Sequence, residues 1–301
     1  MKKVNVLLST YNGEKYILDL INSVLAQEGV DVILTVRDDG SSDKTMEIVR
    51  GINDSRIRFL EADGNLGPAK SFLRLLRDCE PADYYAYCDQ DDIWYPNKLS
   101  IAVSKLSVDK PSLFMSTYDL VDGDLQFMKT HDMEFYNPLR IETTLMYRCP
   151  SGCVMVFNNG LRDILNEKYP ESIRMHDFWT LLVAMGVKAD IVTEDSPLIK
   201  YRLHEGNTVG LSKGFFDKVK RFKRSVTKKK HERYLQAKSL YDCYSDHFDD
   251  ATNELLSEVV DYRKSLSNRF KLARDKRFRE KKGSYKYVNS LFVISVILGL
   301  F

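Results

Sequence analysis

The sequence has no Gly-x-Gly-x-x-Gly after its first apolar run and no Gly-Lys-Ser phosphate loop. That weighs against a dinucleotide oxidoreductase and against a P-loop phosphotransferase. Its five cysteines, Cys79, Cys88, Cys149, Cys153 and Cys243, include no Cys-x-x-Cys pair. Odd in number and unpaired in spacing, they suggest neither a disulfide framework nor a zinc site, and a reducing compartment fits best. No apolar run approaches the roughly 20 residues of a bilayer-crossing helix; the stretch Leu291 to Phe301 has eleven. Met1 to Thr10 starts basic, but its apolar run stops within a few residues, so it reads as a first strand rather than a signal peptide. Internal repeats and low-complexity tracts are also missing.

What is present is enough for a full core: 301 residues, 44% of them hydrophobic, room for one large domain or a domain with an appendage. The formal net charge of +2 hides a division. Residues 212–301 hold 22 Lys and Arg against 11 Asp and Glu, a net +11, which leaves −9 for residues 1–211. An acidic front suits a metal-using or cation-using site, and a basic tail suits an anionic surface.

In chain order, Val4 to Leu8 is an apolar run, followed by the polar Ser9-Thr10-Tyr11-Asn12-Gly13 and a helical pattern of Ile17, Leu20, Ile21, Val24 and Leu25. A second strand, Val32 to Val36, ends in Arg37-Asp38-Asp39-Gly40-Ser41-Ser42-Asp43, where Asp43 is placed to cap the helix of Met46, Ile48 and Val49. Ile57 to Leu60 is a third strand, and Gly64-Asn65-Leu66-Gly67-Pro68 opens a third helix. A fourth apolar run, Tyr84-Tyr85-Ala86-Tyr87-Cys88, ends in Asp89-Gln90-Asp91-Asp92. This alternation predicts an α/β fold, a Rossmann-like, mostly parallel sheet with helices on both faces. Ligands bind such sheets at the carboxyl ends of the strands, so the four polar clusters should converge on one crevice. Three carboxylates crowded at a strand end call for a hard divalent cation, Mg²⁺ or Mn²⁺. The plainer reading is an acidic turn, with Asp92 capping the next helix.

Leu7-Leu8-Ser9-Thr10-Tyr11-Asn12, Arg37 to Thr45, Asn65-Leu66-Gly67 and Cys88-Asp89-Gln90-Asp91-Asp92-Ile93-Trp94 together resemble glycosyltransferase family 2, above all its bacterial rhamnosyltransferase-like members. The resemblance covers about the first 210 residues. It implies a GT-A fold over residues 1–211, a nucleotide-diphospho-sugar donor, and inverting transfer assisted by Mg²⁺ or Mn²⁺. It further implies that Thr10, Tyr11, Asn12 and Asp38 or Asp39 hold the nucleotide, with Asn65 and Lys70 nearby. Asp89, followed by Gln90, approaches the ribose, and Asp91 ligates the metal. A metal bridging two phosphates would stabilise the leaving nucleoside diphosphate as charge develops on it.

Met175-His176-Asp177-Phe178-Trp179 begins a later helix. An inverting transfer needs a carboxylate to take the acceptor proton, and Asp177 is the candidate, since the family carries an acidic base at this point. Here His176-Asp177 replaces the commoner Glu-Asp, as in rhamnosyltransferase-like members. Asp177 as a helix cap is the plain alternative, and His131-Asp132 is a weaker rival base. In Ile199 to Asn207 the resemblance makes His204 a further metal ligand, with Arg202 or Asn207 against the diphosphate; a surface histidine just past a strand is the bland alternative.

From Lys213 the character changes. Lys218 to Lys230 crowds basic residues around Phe215, Phe216, Val219, Phe222 and Val226 at helical spacing, the form of a membrane-surface helix. A second basic run spans Arg269 to Lys286 before the apolar end. Residues 212–301 are therefore expected to be a helical, basic, membrane-associating extension on the cytoplasmic face of the cell membrane, its apolar end interfacial or an oligomer contact. Expected partners are a dTDP or UDP sugar, a lipid-linked glycan acceptor, an anionic membrane surface and a homo-oligomer. Nucleic acid is not expected, since no binding motif accompanies the basic stretches. The best single reading is transfer of L-rhamnose from dTDP-rhamnose in surface polysaccharide synthesis. UDP-glucose or UDP-galactose transfer and a non-catalytic nucleotide-sugar-binding scaffold are the alternatives.

Overall fold

A computed structural model describes residues 1–131, 139–146, 149–204, 231–279 and 286–301. The front alternates as the pattern predicts: β1 (Lys3–Thr10), α1 (Ile17–Leu25), β2 (Asp31–Asp38), α2 (Thr45–Gly51), β3 (Ile57–Phe59), α3 (Gly67–Asp78) and β4 (Tyr84–Cys88). Every residue of β4 is buried, and β1 is buried from Val4 to Leu8. Such unbroken burial is what a strand covered on both faces requires, and it explains runs that are apolar throughout rather than alternating. In α1 the buried positions are Ile17, Leu20, Ile21 and Val24, the stripe at three- and four-residue spacing that faces the sheet.

The sheet order is β3-β2-β1-β4-β8-β6-β9-β5, with β7 paired to β6. Its later members are β5 (Ile93–Trp94), β6 (Ser112–Val121), β7 (Phe127–Thr130), β8 (Met155–Asn158) and β9 (Asp190–Arg202). The first four strands in the order run parallel, as do β6 and β9, whereas β8 runs antiparallel to both β4 and β6. Most of the paired length is thus parallel. The chain builds outward from β1 through β2 to β3, then returns to place β4 on the other side of β1. That reversal opens a crevice beyond the carboxyl ends of β1 and β4, where Thr10 to Asn12 and Asp89 to Asp92 lie.

Among the described residues up to 204 there follow the α-helices α4 (Lys98–Lys105), α5 (Ile141–Met146), α6 (Asn159–Glu167) and α7 (His176–Gly186). α7 is buried at every position except Asp177, so Trp179, Leu181, Leu182 and Val183 lie in the core while Asp177 does not. Beyond it come α8 (Glu232–Tyr244), α9 (Asp250–Asp261), α10 (Leu266–Arg274) and α11 (Lys286–Ile297). These helices dock on the sheet domain and share its core: Ala237, Leu240 and Tyr244 belong to one continuous apolar cluster with Trp179. Gln236 bridges the Arg174 amide and the Ser172 carbonyl, and Tyr244 donates to the Ile164 carbonyl. At the end of the chain Phe278, Phe292 and Phe301 stack around one another, with Val296 also buried. The apolar terminal run is therefore amphipathic, with Leu291, Ile294 and Leu298 on its exposed side. Among the described residues no helix is long and apolar enough to cross a membrane. The basic stretch Lys213 to Lys230 lies outside the described residues, as do Asp132, Asn207 and the boundary near residue 211.

Candidate active site

The loops after β1 and β2 are tied into one unit by side chains that bond backbone. Thr10 Oγ1 donates to Asp38 Oδ1 at 2.9 Å, and the other oxygen of Asp38 accepts the amides of Gly40 and Ser41. Gly40 turns there with φ +93°, a left-handed conformation that glycine adopts without a Cβ penalty. Asn12, also left-handed, donates its amide to Ser41 Oγ and accepts the Ser42 amide on Oδ1. Gln90 reaches over from the end of β4 and pairs with both backbone groups of Tyr11, each at 2.9 Å. Asn12 and Gln90 thus hold the crevice in shape, and Tyr11 presents its ring on top, half exposed.

Asp39 is committed to the fold. It is buried, forms a 2.7 Å ion pair with the fully buried Arg37, and accepts the amides of Leu66 and Gly67 at the start of α3. Removing one partner of such a pair typically costs about 3–5 kcal/mol, because the other charge stays behind unpaired. Of the two alternatives after β2, Asp38 is therefore the one at the crevice and Asp39 the one beneath it. Asn65 accepts the Gly67 amide on the same loop, and Lys70 stands exposed on the first turn of α3.

At the end of β4 the carboxylates divide by environment. Asp92 is almost fully buried; its Oδ1 accepts the Arg202 amide and its Oδ2 has no partner. It does not cap a helix, contrary to the expectation: β5 intervenes to pair with β9, and α4 begins only at Lys98, behind Asn97. Asp89 and Asp92 lie with Cys153 in a group whose candidate ligand atoms are all within 4.8 Å of one another. Burial, then the charges of Asp91 and Asp177, push the Asp89 carboxyl up to about 7. Burial and its acidic neighbours likewise hold Asp92 well above the carboxylate range. Lys98 lies below, fully buried, with Nζ 3.1 Å from the Trp94 ring centroid and donating to the Cys153 carbonyl. Burial lowers its pKa to about 8.

Asp91 turns the other way, toward β9. Its Oδ2 lies 2.7 Å from Nε2 of His204, whose ring packs on Tyr16. Arg202 is bound into the fold rather than free to close over a ligand: its guanidinium donates to the carbonyls of Asp91 and Gly123 and pairs with Asp19. The sequence places Asp91 and His204 more than a hundred residues apart; the antiparallel pairing of β5 with β9 brings them into contact. Carboxylate oxygen with imidazole nitrogen suits Mn²⁺ or Mg²⁺, and crowded carboxyls with raised pKa values accept a cation readily. The residues therefore fit a divalent ion.

Asp177 stands in the first turn of α7, two residues beyond Met175 at the cap position. Its Oδ1 accepts the Phe178 amide at 2.6 Å. Burial raises its pKa to about 6, opposed by the amides of Phe178 and Gly152 and the charge of Arg174. Its charge helps to raise the Asp89 carboxyl. His131, just past the end of β7, stacks on Tyr118. Sequence reading missed Cys153, Lys98 and His176. A lysine at a helix start and a cysteine in an apolar run carry no mark of burial, whereas the Gly152 before Cys153 was a usable sign of close approach.

Comparison with known proteins agrees with this geometry. The model described as Glycosyl transferase family 2 matches residues 5–169. The dTDP-rhamnosyl transferase RfbG of Shigella flexneri is 28% identical over 229 residues, 71% of this chain and 77% of that protein. The UDP-Glc:alpha-D-GlcNAc-diphosphoundecaprenol beta-1,3-glucosyltransferase WfgD of Escherichia coli is 29% identical over 180 residues, 60% of this chain and 68% of the relative. Among solved structures, TarS 1–349 of S. aureus with UDP-GlcNAc superposes with a TM-score of 0.62 at 16% identity, covering 99% of this chain and 82% of that one. The mannosyltransferase PcManGT of Pyrobaculum calidifontis, with GDP-Man and Mn²⁺, gives 0.57 at 16% identity, covering 100% and 87%. At such identities the structural likeness speaks for the fold.

Proposed function

Since this chain belongs to glycosyltransferase family 2 and has the GT-A fold, we propose that it is an inverting, metal-dependent enzyme transferring L-rhamnose from dTDP-rhamnose to a lipid-linked glycan. The observation that carries the reading is the contact of Asp91 with His204 beside Asp89, with the carboxylate Asp177 electrostatically linked to the same group. Thr10, Tyr11, Asn12 and Asp38 line the nucleotide end, with Asn65, Lys70 and Gln90 around it. Asp91 and His204 would hold Mg²⁺ or Mn²⁺, which neutralises charge on the diphosphate when bound. Asp177 takes the proton of the acceptor hydroxyl as its oxygen attacks the anomeric carbon. The bond from that carbon to the diphosphate breaks with inversion, and the nucleoside diphosphate leaves with the electron pair.

The sugar is supported by the likeness to a dTDP-rhamnosyl transferase, and the lipid-linked acceptor by a relative named for a diphosphoundecaprenol substrate. That same relative favours the second reading, a UDP-glucose or UDP-galactose donor. Thermal-shift titration with dTDP-rhamnose, UDP-glucose and UDP-galactose in the presence of Mn²⁺ separates them. The dTDP sugar is expected to raise the melting temperature most, by an amount that grows with ligand concentration over its dissociation constant; a shift with UDP sugars alone sinks the rhamnose assignment. A catalytically silent scaffold would bind a donor but never hydrolyse it without acceptor.

Residues 1–211 would form the transferase domain and residues 212–301 the membrane-associating part, reached by the enzyme from the cytoplasmic side. Support comes from Leu266 and Phe270 on α10, Leu291 and Ile294 on α11 and Leu298 just past it, all exposed, on a segment with excess positive charge. Because these helices share the core, deleting them would damage the fold; point changes are the sound test. Phe270→Ser with Ile294→Ser and Leu298→Ser is expected to weaken flotation with phosphatidylglycerol vesicles, each Lys or Arg at the surface adding on the order of 1 kcal/mol. Equal flotation by the triple variant would refute this surface.

A further inference from the structure

The imidazole of His176, one residue before the candidate base, is buried, and neither of its ring nitrogens has a hydrogen-bond partner. Buried polar groups are rarely left this way, so its place must be explained by what the ring touches. It stacks on Phe72 at 3.8 Å between centroids and stands edge-on to Tyr87 at 4.6 Å. On its open side lies the backbone of Gly152: a methyl group there would collide with Nε2 of His176. The ring cannot retreat, because Phe72 and Tyr87 wall it in.

Gly152 opens the short helical turn Gly152–Val154, and this turn touches both halves of the site. Its first amide favours the charged form of the Asp177 carboxyl. Its second residue, Cys153, keeps its thiol within 4.8 Å of carboxylate oxygens of Asp89 and Asp92 and accepts Lys98 Nζ on its carbonyl at 2.9 Å.

We propose that His176 is a positioning residue, a clamped stop on which the Gly152–Val154 turn rests, so that the Gly152 amide stays on Asp177 and the proton-accepting carboxylate keeps its place relative to the donor-side acidic group. The proposal rests on the reading of Asp177 as the base. Without the ring, the turn can sink into the space it leaves and the amide moves off the carboxylate. Losing a donor to its charged form makes the carboxyl more basic, and a displaced base loses rate without losing acceptor binding.

Steady-state kinetics against pH, run on His176→Ala, His176→Phe, Gly152→Ala and Asp177→Asn, test this. His176→Ala is expected to lower kcat by about 10- to 100-fold, to leave the acceptor KM unchanged and to move the acid limb to higher pH. His176→Phe restores the ring's volume without its nitrogens and is expected to restore both rate and acid limb. Gly152→Ala, which presses on the same contact from the other side, is expected to behave as His176→Ala does, and it serves as the test if His176→Ala does not fold. Wild-type kcat and acid limb in a folded His176→Ala or Gly152→Ala overturn the proposal. So does a folded His176→Phe as impaired as His176→Ala, since a nitrogen would then be acting. Transfer retained by Asp177→Asn would instead remove the base assignment on which the proposal rests.

Discussion

Asp91→Ala is expected to reduce sugar transfer by at least about 10²- to 10³-fold, the usual loss when a group stabilising transition-state charge is removed, with the melting temperature close to wild type. The carboxylate is one half of the contact with His204 and, after burial, the main cause that raises the Asp89 carboxyl. Removing it takes away the charged oxygen donor of the proposed cation site. The fold should survive because the atom that serves the fold is not in the side chain: Arg202 Nε donates to the Asp91 backbone carbonyl, which alanine keeps. Purified Asp91→Ala with normal turnover at saturating Mn²⁺ would end the metal-ligand assignment. A lowered melting temperature with proportionate loss of activity would mean that the contact with His204 is structural.

Asp177→Asn should abolish most of the remaining chemistry, lowering kcat by about 10²- to 10⁴-fold, the range that general-base catalysis supplies. Asparagine keeps the shape and can still accept the Phe178 amide, so the loss isolates the proton. The pH profile gives an independent reading. A base works in its ionised form, and burial has raised this carboxyl to about 6 from its ordinary value of 3.8. Wild-type kcat/KM should therefore be level above about pH 7 and fall tenfold per unit below about 6, the slope of a single required ionisation. An unperturbed aspartate would place that limb about two units lower. The limb should vanish in Asp177→Asn, leaving a low rate independent of pH in that range. A limb that persists unchanged would assign the proton to another group.

The strand ends were legible from residue order alone, because a parallel sheet delivers every strand's carboxyl end to one edge. Thr10 with Asp38, and Tyr11 with Gln90, meet there in hydrogen-bond contact. What each does in the cluster was not legible. Asp38 and Asp39 are neighbours with the same side chain, yet the strand period turns Asp39 inward to the buried Arg37 and leaves Asp38 at the crevice. Asp92 read as a cap because aspartate before a helical pattern usually is one; the two-residue strand β5 was too short to show in a pattern of apolar residues. The apolar end of the chain read as one surface, and only packing separated Phe292, Val296 and Phe301 inside from Leu291, Ile294 and Leu298 outside.

Sequence by itself determined the α/β order, the convergence of the polar clusters and the family, because hydrophobic period and strand-end chemistry are local and survive translation along the chain. The meeting of Asp91 with His204, the clasp of Gly152 between His176 and Asp177, and the burial of Lys98 under the acidic group were decided by tertiary structure alone. Each rests on a contact between residues tens of positions or more apart, Lys98 through the Cys153 carbonyl, and its energetics depend on burial and on a neighbour's charge. No window of sequence contains either.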